Sequence, residues 1–210
     1  MSNEALFRVL SVCLLAVLLG VRGFFGRRSR RHGHSSWQVS EEAARREGGW
    51  SLALRAVLLV ALMAMVVVYA AFPRQTAWLL VALPGWARWS GVGLASIGLA
   101  ALVWVHAALG RHWSTTLQLR AEHTLVTTGP YRWVRHPMYT ALALCFLGTS
   151  LASAAWPFLL LSLGAVFLFL RVVRIEEAML TDHFGEVYRA YRLRTGRFLP
   201  RLRCGRGTTD

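Results

Sequence analysis

Apolar residues run along this chain in long blocks, not in the alternating or one-faced patterns of a soluble domain. Ala5 to Val21 is broken only by Arg8 and Ser11, and Trp50 to Phe72 carries Arg55 one turn inside its start. Ser90 to Leu109, Met138 to Trp156 and Pro157 to Val173 follow. A bilayer takes about 20 apolar residues to cross as a helix, so the pattern predicts five membrane spans. No small-x-small cleavage site follows the first block, where Arg22, Phe24 and Phe25 stand, so it reads as an uncleaved span. Between Ala77 and Trp89 the pattern is too short and too interrupted by Pro84-Gly85 for a span. Its Trp78, Trp86, Arg88 and Trp89 suit an interfacial segment. The last two spans are joined by the uncharged stretch Ser150 to Pro157, which predicts a tight hairpin.

Small residues at Gly91/Ala95 and Ser96/Ala100 in the third span predict close helix packing. His106, in the same span, reads as a packed histidine. Beyond the fifth span, RVVRIEEAMLTDHFGEVYRAYRLR predicts a helix that Gly185 caps or breaks. Glu177, Leu180, Phe184, Tyr188 and Tyr191 share one face of it, with Arg174 three residues before Glu177.

Charge sets the orientation. The 210 residues are 55% hydrophobic yet carry a net charge of +14, and every basic residue is Arg. Nucleic-acid binding is the usual alternative for such a charge, but here the Arg residues flank apolar blocks, which points to membrane lipids as neighbours. With five spans, one side takes seven Arg from Arg22 to Arg46, four from Arg111 to Arg135 and nine from Arg171 onward. The other side takes Arg8, Arg74 and Arg88. The positive-inside rule then predicts a cytoplasmic C-terminus. Cys13, Cys145 and Cys204 are scattered and His32/His34 lie in a basic loop, so no metal site is predicted.

The polar stretch from His123 to Tyr139, HTLVTTGPYRWVRHPMY, stands apart from these blocks. Gly129-Pro130 predicts a turn, and Pro137 drives His136 out of the α region and starts the next helix. Glu176-Glu177 is the second unusual feature, since no acid occurs between Glu47 and Glu122. A hairpin of the last two spans brings His136 beside Arg174. The predicted pocket holds His and Tyr donors, aromatic faces, two carboxylates and guanidinium groups. It suits a zwitterionic, partly cationic small molecule meeting a lipid-dissolved one. Ion pairing among Arg171, Arg174, Glu176 and Glu177 is the plainer alternative.

From Leu109 to Pro200 the chain resembles the isoprenylcysteine carboxyl methyltransferase family, which includes phospholipid methyltransferase-like membrane enzymes. The resemblance rests on LGRHWS (Leu109 to Ser114), HTLVTTGPY, RHPMY, Gly148-Thr149 and the Glu176 to Tyr191 segment. It implies a membrane methyltransferase using S-adenosylmethionine (SAM) on the cytoplasmic side. The cofactor-binding residues it implies are His123, Thr124, Leu125, Val126, Tyr131, His136, Pro137, Met138, Tyr139 and Glu176. An Arg before the acidic pair contacts substrate in such enzymes, and Arg171 and Arg174 are both candidates. Glu177 or His136 would serve as base if the acceptor carries a proton. A family Gly is Ala141 here, and a Gln of some members aligns with Thr116, near Gln118.

The expectation is therefore an all-α integral membrane protein with five transmembrane helices, a cofactor-binding connecting segment and a cytoplasmic C-terminal helix. It forms one domain over residues 1–210: N-terminal spans and basic loop to 108, motif region 109–200, and a basic tail. Its expected activity is isoprenylcysteine-type carboxyl O-methylation of a lipophilic acceptor from the bilayer. Phospholipid N-methylation, small-thiol S-methylation and a non-catalytic membrane role are the alternatives.

Overall fold

The computed structural model describes residues 3–31, 49–109 and 125–201. These form helices α1 (Asn3–Arg31), α2 (Gly49–Ala71), α3 (Gly85–Leu109), α4 (Pro137–Ser153), α5 (Trp156–Phe184) and α6 (Glu186–Arg194). Single 3-10 turns lie at Ala77–Leu79 and Gly129–Arg132. No β-strand occurs among the described residues, which show only isolated bridges at Leu80–Ala155 and Val134–Gly196. Helices α1, α2, α3 and α5 are long and apolar enough to cross a membrane, and α4 is a shorter apolar helix of 17 residues. At 1.5 Å per residue α4 spans about 25 Å, against about 30 Å of hydrocarbon.

Helix ends depart from the ends of the apolar blocks. Helix α1 continues from Val21 to Arg31 and α5 from Val173 to Phe184, because Arg, Glu and Leu keep good helix propensity after the apolar stripe stops. Helix α3 begins at Gly85, not at Ser90. Residues 85–89 of the expected interfacial segment are thus the first turn of a helix, and its start is the 3-10 turn at Ala77–Leu79. Trp78, Trp86 and Trp89 are exposed there, whereas Arg88 turns inward and is only 4% exposed.

The core of the bundle is the α3–α4 seam. On α3 the inward row is Gly91, Ala95, Gly98 and Leu102; on α4 it is Ala141, Cys145, Gly148 and Ala152, the same 4-3-4 spacing. A Cβ placed on Gly91 would lie 2.5 Å from the Ala152 amide nitrogen, and one on Gly98 would lie 2.8 Å from that of Cys145. Such backbone approach is what small residues permit between membrane helices. The Gly91/Ala95 expectation therefore holds. Ser96 and Ala100 do not contribute: both are exposed, because the seam's periodicity places them on the outer face of α3.

Helices α4 and α5 form the expected hairpin, turned by only Ala154 and Ala155. Ala154 adopts φ 54°, the left-handed region, and its carbonyl accepts a 2.7 Å bond from the Val81 amide. At the same end Arg88 pairs with Glu4 (2.5 Å), donates to the Ala152 carbonyl (3.0 Å) and stacks on the Phe7 ring at 4.1 Å. Arg8 there donates to Thr76 Oγ1 (3.1 Å) and lies over the Tyr69 ring, whose hydroxyl donates to the Ser153 carbonyl at 3.2 Å. Helix α2 packs on α1 and α5 at the edge of the bundle.

Candidate active site

The opposite end of the bundle carries the polar motif. Gly129, at φ 59°, begins the 3-10 turn that lies against the last residues of α3. A Cβ on it would meet Ala108 at 3.1 Å. The chain then straightens, as Pro137 requires: His136 has φ −123° and ψ 55° and precedes a helix with Pro in its first turn. A short backbone ladder holds this corner in place. The Arg135 and His136 amides donate to the carbonyls of Gly196 (2.9 Å) and Arg197 (3.0 Å), and the Gly196 amide donates to the Trp133 carbonyl (3.0 Å). The segment after α6 is therefore part of the site.

Side chains complete the clamp. His136 is 3% exposed and Glu177 4%. The imidazole sits between the adjacent acids, with Nδ1 3.5 Å from Glu176 Oε2 and Nε2 3.4 Å from Glu177 Oε1. Arg135 Nε donates to Glu177 Oε1 at 3.0 Å, and Arg197 pairs with Glu177 Oε2. A second nitrogen of Arg135 reaches the carbonyls of Arg192 (3.1 Å) and Thr195 (2.5 Å), so one guanidinium ties α4, α5 and α6 together. Gly185, at φ 53°, turns the chain between α5 and α6, which lets Tyr191 donate to the Tyr131 carbonyl at 2.6 Å. The rings of Tyr139 and Phe198 stand 6.0 and 6.2 Å from the imidazole, and Phe169 stands 5.3 Å from Tyr139.

Burial disfavours a charged imidazole at His136, but Glu176 foremost and then Glu177 outweigh it and raise its pKa above the usual histidine value. Burial pushes the Tyr191 phenol up to about 12 and raises Tyr131 and Tyr188 as well. All three remain neutral donors at ordinary pH. Three polar atoms here are buried without a hydrogen-bond partner among the described residues: His136 Nε2, Glu176 Oε2 and the Tyr188 hydroxyl. Buried polar groups are normally satisfied, so such a cluster marks a place where a ligand's polar groups would be welcome.

The structure thus gathers Tyr131, His136, Pro137, Met138, Tyr139, Glu176 and Glu177 at one rim, with Leu125 and Val126 half-buried in the segment leading into it. His123 and Thr124 lie outside the described residues, as do Thr116 and Gln118. Glu177 is paired with Arg135, Arg197 and His136 and not with Arg174, so the plainer ion-pair alternative does not describe it. Arg174 is exposed, and Arg171 lies over the Trp50 ring of α2 at 4.8 Å. Sequence reasoning passed over Arg135 as a site residue and missed Arg197 and Phe198 entirely. The available signal was TGRFLP, a glycine-containing, proline-closed segment directly after an amphipathic helix. Among the described residues no group of three His, Cys, Asp or Glu side chains is placed to hold a metal ion.

The family model described as phospholipid methyltransferase matches residues 86–187, which run from α3 through this rim. The chain is 35% identical over 131 residues to the cobalt-zinc-cadmium resistance protein CzcN of Cupriavidus metallidurans, covering 59% of this chain and 58% of that one. It is 36% identical over 80 residues to the protein-S-isoprenylcysteine O-methyltransferase of Schizosaccharomyces pombe, covering 38% and 34%. The alignments cover little more than half of the former and a third of the latter. Among solved structures, the eukaryotic intramembrane Ras methyltransferase (isoprenylcysteine carboxyl methyltransferase) has the same fold over 71% of this chain and 50% of its own, with a TM-score of 0.51 at 21% identity. Residues 86–187 of this membrane protein are thus similar to the phospholipid methyltransferase family, and isoprenylcysteine O-methyltransferases are among the proteins it resembles.

Proposed function

We propose that the chain is a SAM-dependent methyltransferase that crosses the membrane five times, with α4 as the fifth span and the rim facing the cytoplasm, and that residues 1–210 work as one membrane domain. One observation carries the reading: a buried histidine wedged between two adjacent carboxylates, with the buried Tyr188 hydroxyl left without a hydrogen-bond partner among the described residues, at the mouth of the α4–α5 hairpin. The groups present fit the cofactor. Glu176 can take an ammonium, the first amides of α4 can take a carboxylate, and the Tyr139 and Phe198 rings can face a sulfonium. His123, Thr124, Leu125, Val126, Tyr131, Pro137 and Met138 complete the proposed cofactor set. SAM supplies an electrophilic methyl group.

The protein's own contribution is positioning and exclusion of water. Arg135 and Arg197 fix Glu177, Glu177 and Glu176 fix the imidazole, and the strand-like ladder fixes the backbone at His136. A carboxylate kept between two guanidinium groups is a poor base, and carboxylates on both sides of the imidazole favour its protonated form, which cannot take up a proton. That favours an acceptor already ionised when it arrives. A lipid-borne carboxylate of the isoprenylcysteine type meets this condition, with Arg171 or Arg174 to align it. Phospholipid amines and small thiols are less suited, since each must shed a proton.

The test is calorimetric titration of S-adenosylhomocysteine (SAH) into detergent-solubilised protein. Glu176→Ala and His136→Ala should each weaken binding at least tenfold. Undiminished binding in both variants removes the site assignment, and no binding to the unmodified protein removes the enzyme.

A further inference from the structure

Beyond the acidic pair the chain carries one sign of charge. Residues 187–209 hold seven Arg and no acid. Arg189 pairs with Glu186 and Arg197 with Glu177, while Arg192, Arg194 and Arg201 are exposed. Two bare leucines stand among them, Leu193 near the end of α6 and Leu199 after it, each 73% exposed. A fold-back keeps these groups together, since Arg201 donates to the Leu193 carbonyl at 2.6 Å.

Helix α5 gives their depth. Glu177, beside His136, lies 21 residues beyond Trp156, the first residue of α5. That is about 32 Å along the axis, against about 30 Å of hydrocarbon. At the far end Trp156 and Trp78, with rings 6.3 Å apart, are an aromatic pair of the kind that marks a membrane interface. The His136 rim therefore stands at the opposite bilayer surface. The segment after α6 is tied to that level. Its Arg197 carbonyl accepts from the His136 amide at 3.0 Å, and its Phe198 carbonyl accepts from Thr140 Oγ1 at 2.9 Å. Exposed leucines rimmed by guanidinium groups at this depth suit a headgroup layer of negative charge.

We infer that the end of α6 and the segment 195–201 dock on an anionic lipid surface, with Leu193 and Leu199 in the headgroup layer and Arg192, Arg194 and Arg201 on lipid phosphates. Docking steadies the backbone ladder that holds His136, so the charge of the leaflet reaches the rim through residues 195–201. Nothing in this requires a particular ligand at the rim. An arginine near an anionic surface is worth about fivefold in an equilibrium. A segment held by a few backbone bonds opens locally, and its opening is where that factor is read.

The full chain is placed in nanodiscs of phosphatidylcholine, alone or with about a third phosphatidylglycerol, and hydrogen exchange is followed by mass spectrometry. Peptides covering 133–136 and 193–199 should exchange about fivefold more slowly with phosphatidylglycerol present. Arg192→Gln/Arg194→Gln should lose most of this slowing, and Arg192→Lys/Arg194→Lys should keep it. Arg74→Gln, at the hairpin end, should leave it whole. Each variant is compared with itself in the two lipids, so one with a loosened ladder still reports. Equal exchange in both lipids overturns the proposal, as does slowing that survives the loss of both arginines. Inorganic phosphate that reproduces the slowing in phosphatidylcholine alone also overturns it, making this a soluble-anion site.

Discussion

Each end of this bundle buries a guanidinium against a carboxylate, and the two ends treat it differently. At the hairpin end Arg88 meets Glu4, the Ala152 carbonyl and the Phe7 ring, and these partners close around it. At the motif end the arginines are equally well held, but the groups beside them are not: His136 Nε2, Glu176 Oε2 and the Tyr188 hydroxyl have no hydrogen-bond partner among the described residues. A saturated polar cluster stabilises packing, whereas an unsaturated one is held in readiness by its neighbours. Counting buried charges would treat the two ends alike. Accounting for each donor and acceptor separates them.

The largest effect should come from cutting the saturated cluster. Arg88→Met leaves the Ala152 carbonyl without its side-chain donor and Glu4 without its partner and should cost about 3 kcal/mol of stability, seen as a lowered Tm in detergent, with SAH affinity unchanged. Loss of SAH binding by properly folded Arg88→Met protein would erase the contrast between the ends.

An intermediate effect is expected from pH. His136 has a folded pKa above its unfolded value of about 6.5. Its pairing with Glu176 and Glu177 therefore stabilises fully below pH 6.5 and is lost as pH rises through the raised folded value. Thermal melts across pH 5.5 to 9 should show the unmodified protein's advantage over His136→Gln shrinking as pH rises. A constant difference would mean the imidazole is not charged.

The smallest effect should be at the hairpin turn. Ala154 holds φ 54°, a conformation costing an L-residue about 1–2 kcal/mol, partly balanced by glycine's extra chain entropy. Ala154→Gly should stabilise by about 0.5 kcal/mol, measured as a small rise in Tm with no change in SAH binding. A fall in Tm would show that the Ala154 methyl group packs better than its backbone suffers.

Much of this architecture was legible because bilayer length and apolar composition are local properties. Four of the five apolar blocks appear as helices long enough to cross a membrane, and the fifth as a shorter apolar one. Gly91 and Ala95 announced the seam they form. Where the reading slipped, helical periodicity was the cause: Ser96 and Ala100 have the right chemistry on the wrong face, and Arg88 looked interfacial until its helix began five residues early. The family resemblance singled out His136 and Glu176 as cofactor residues, and the structure sets them 3.5 Å apart.

The sequence by itself determined the apolar blocks, the proline-imposed corner at His136, the glycine break at Gly185 and the adjacency of Glu176 and Glu177, since each follows from a residue and its near neighbours. Tertiary structure alone decided that Arg135 and Arg197, separated by 61 intervening residues, grip the same carboxylate. It alone decided that the chain after α6 would lock the histidine backbone. Those contacts depend on the angle at which helices cross and on the return of the chain past the hairpin. No local pattern encodes either, because a guanidinium's reach is indifferent to distance along the chain.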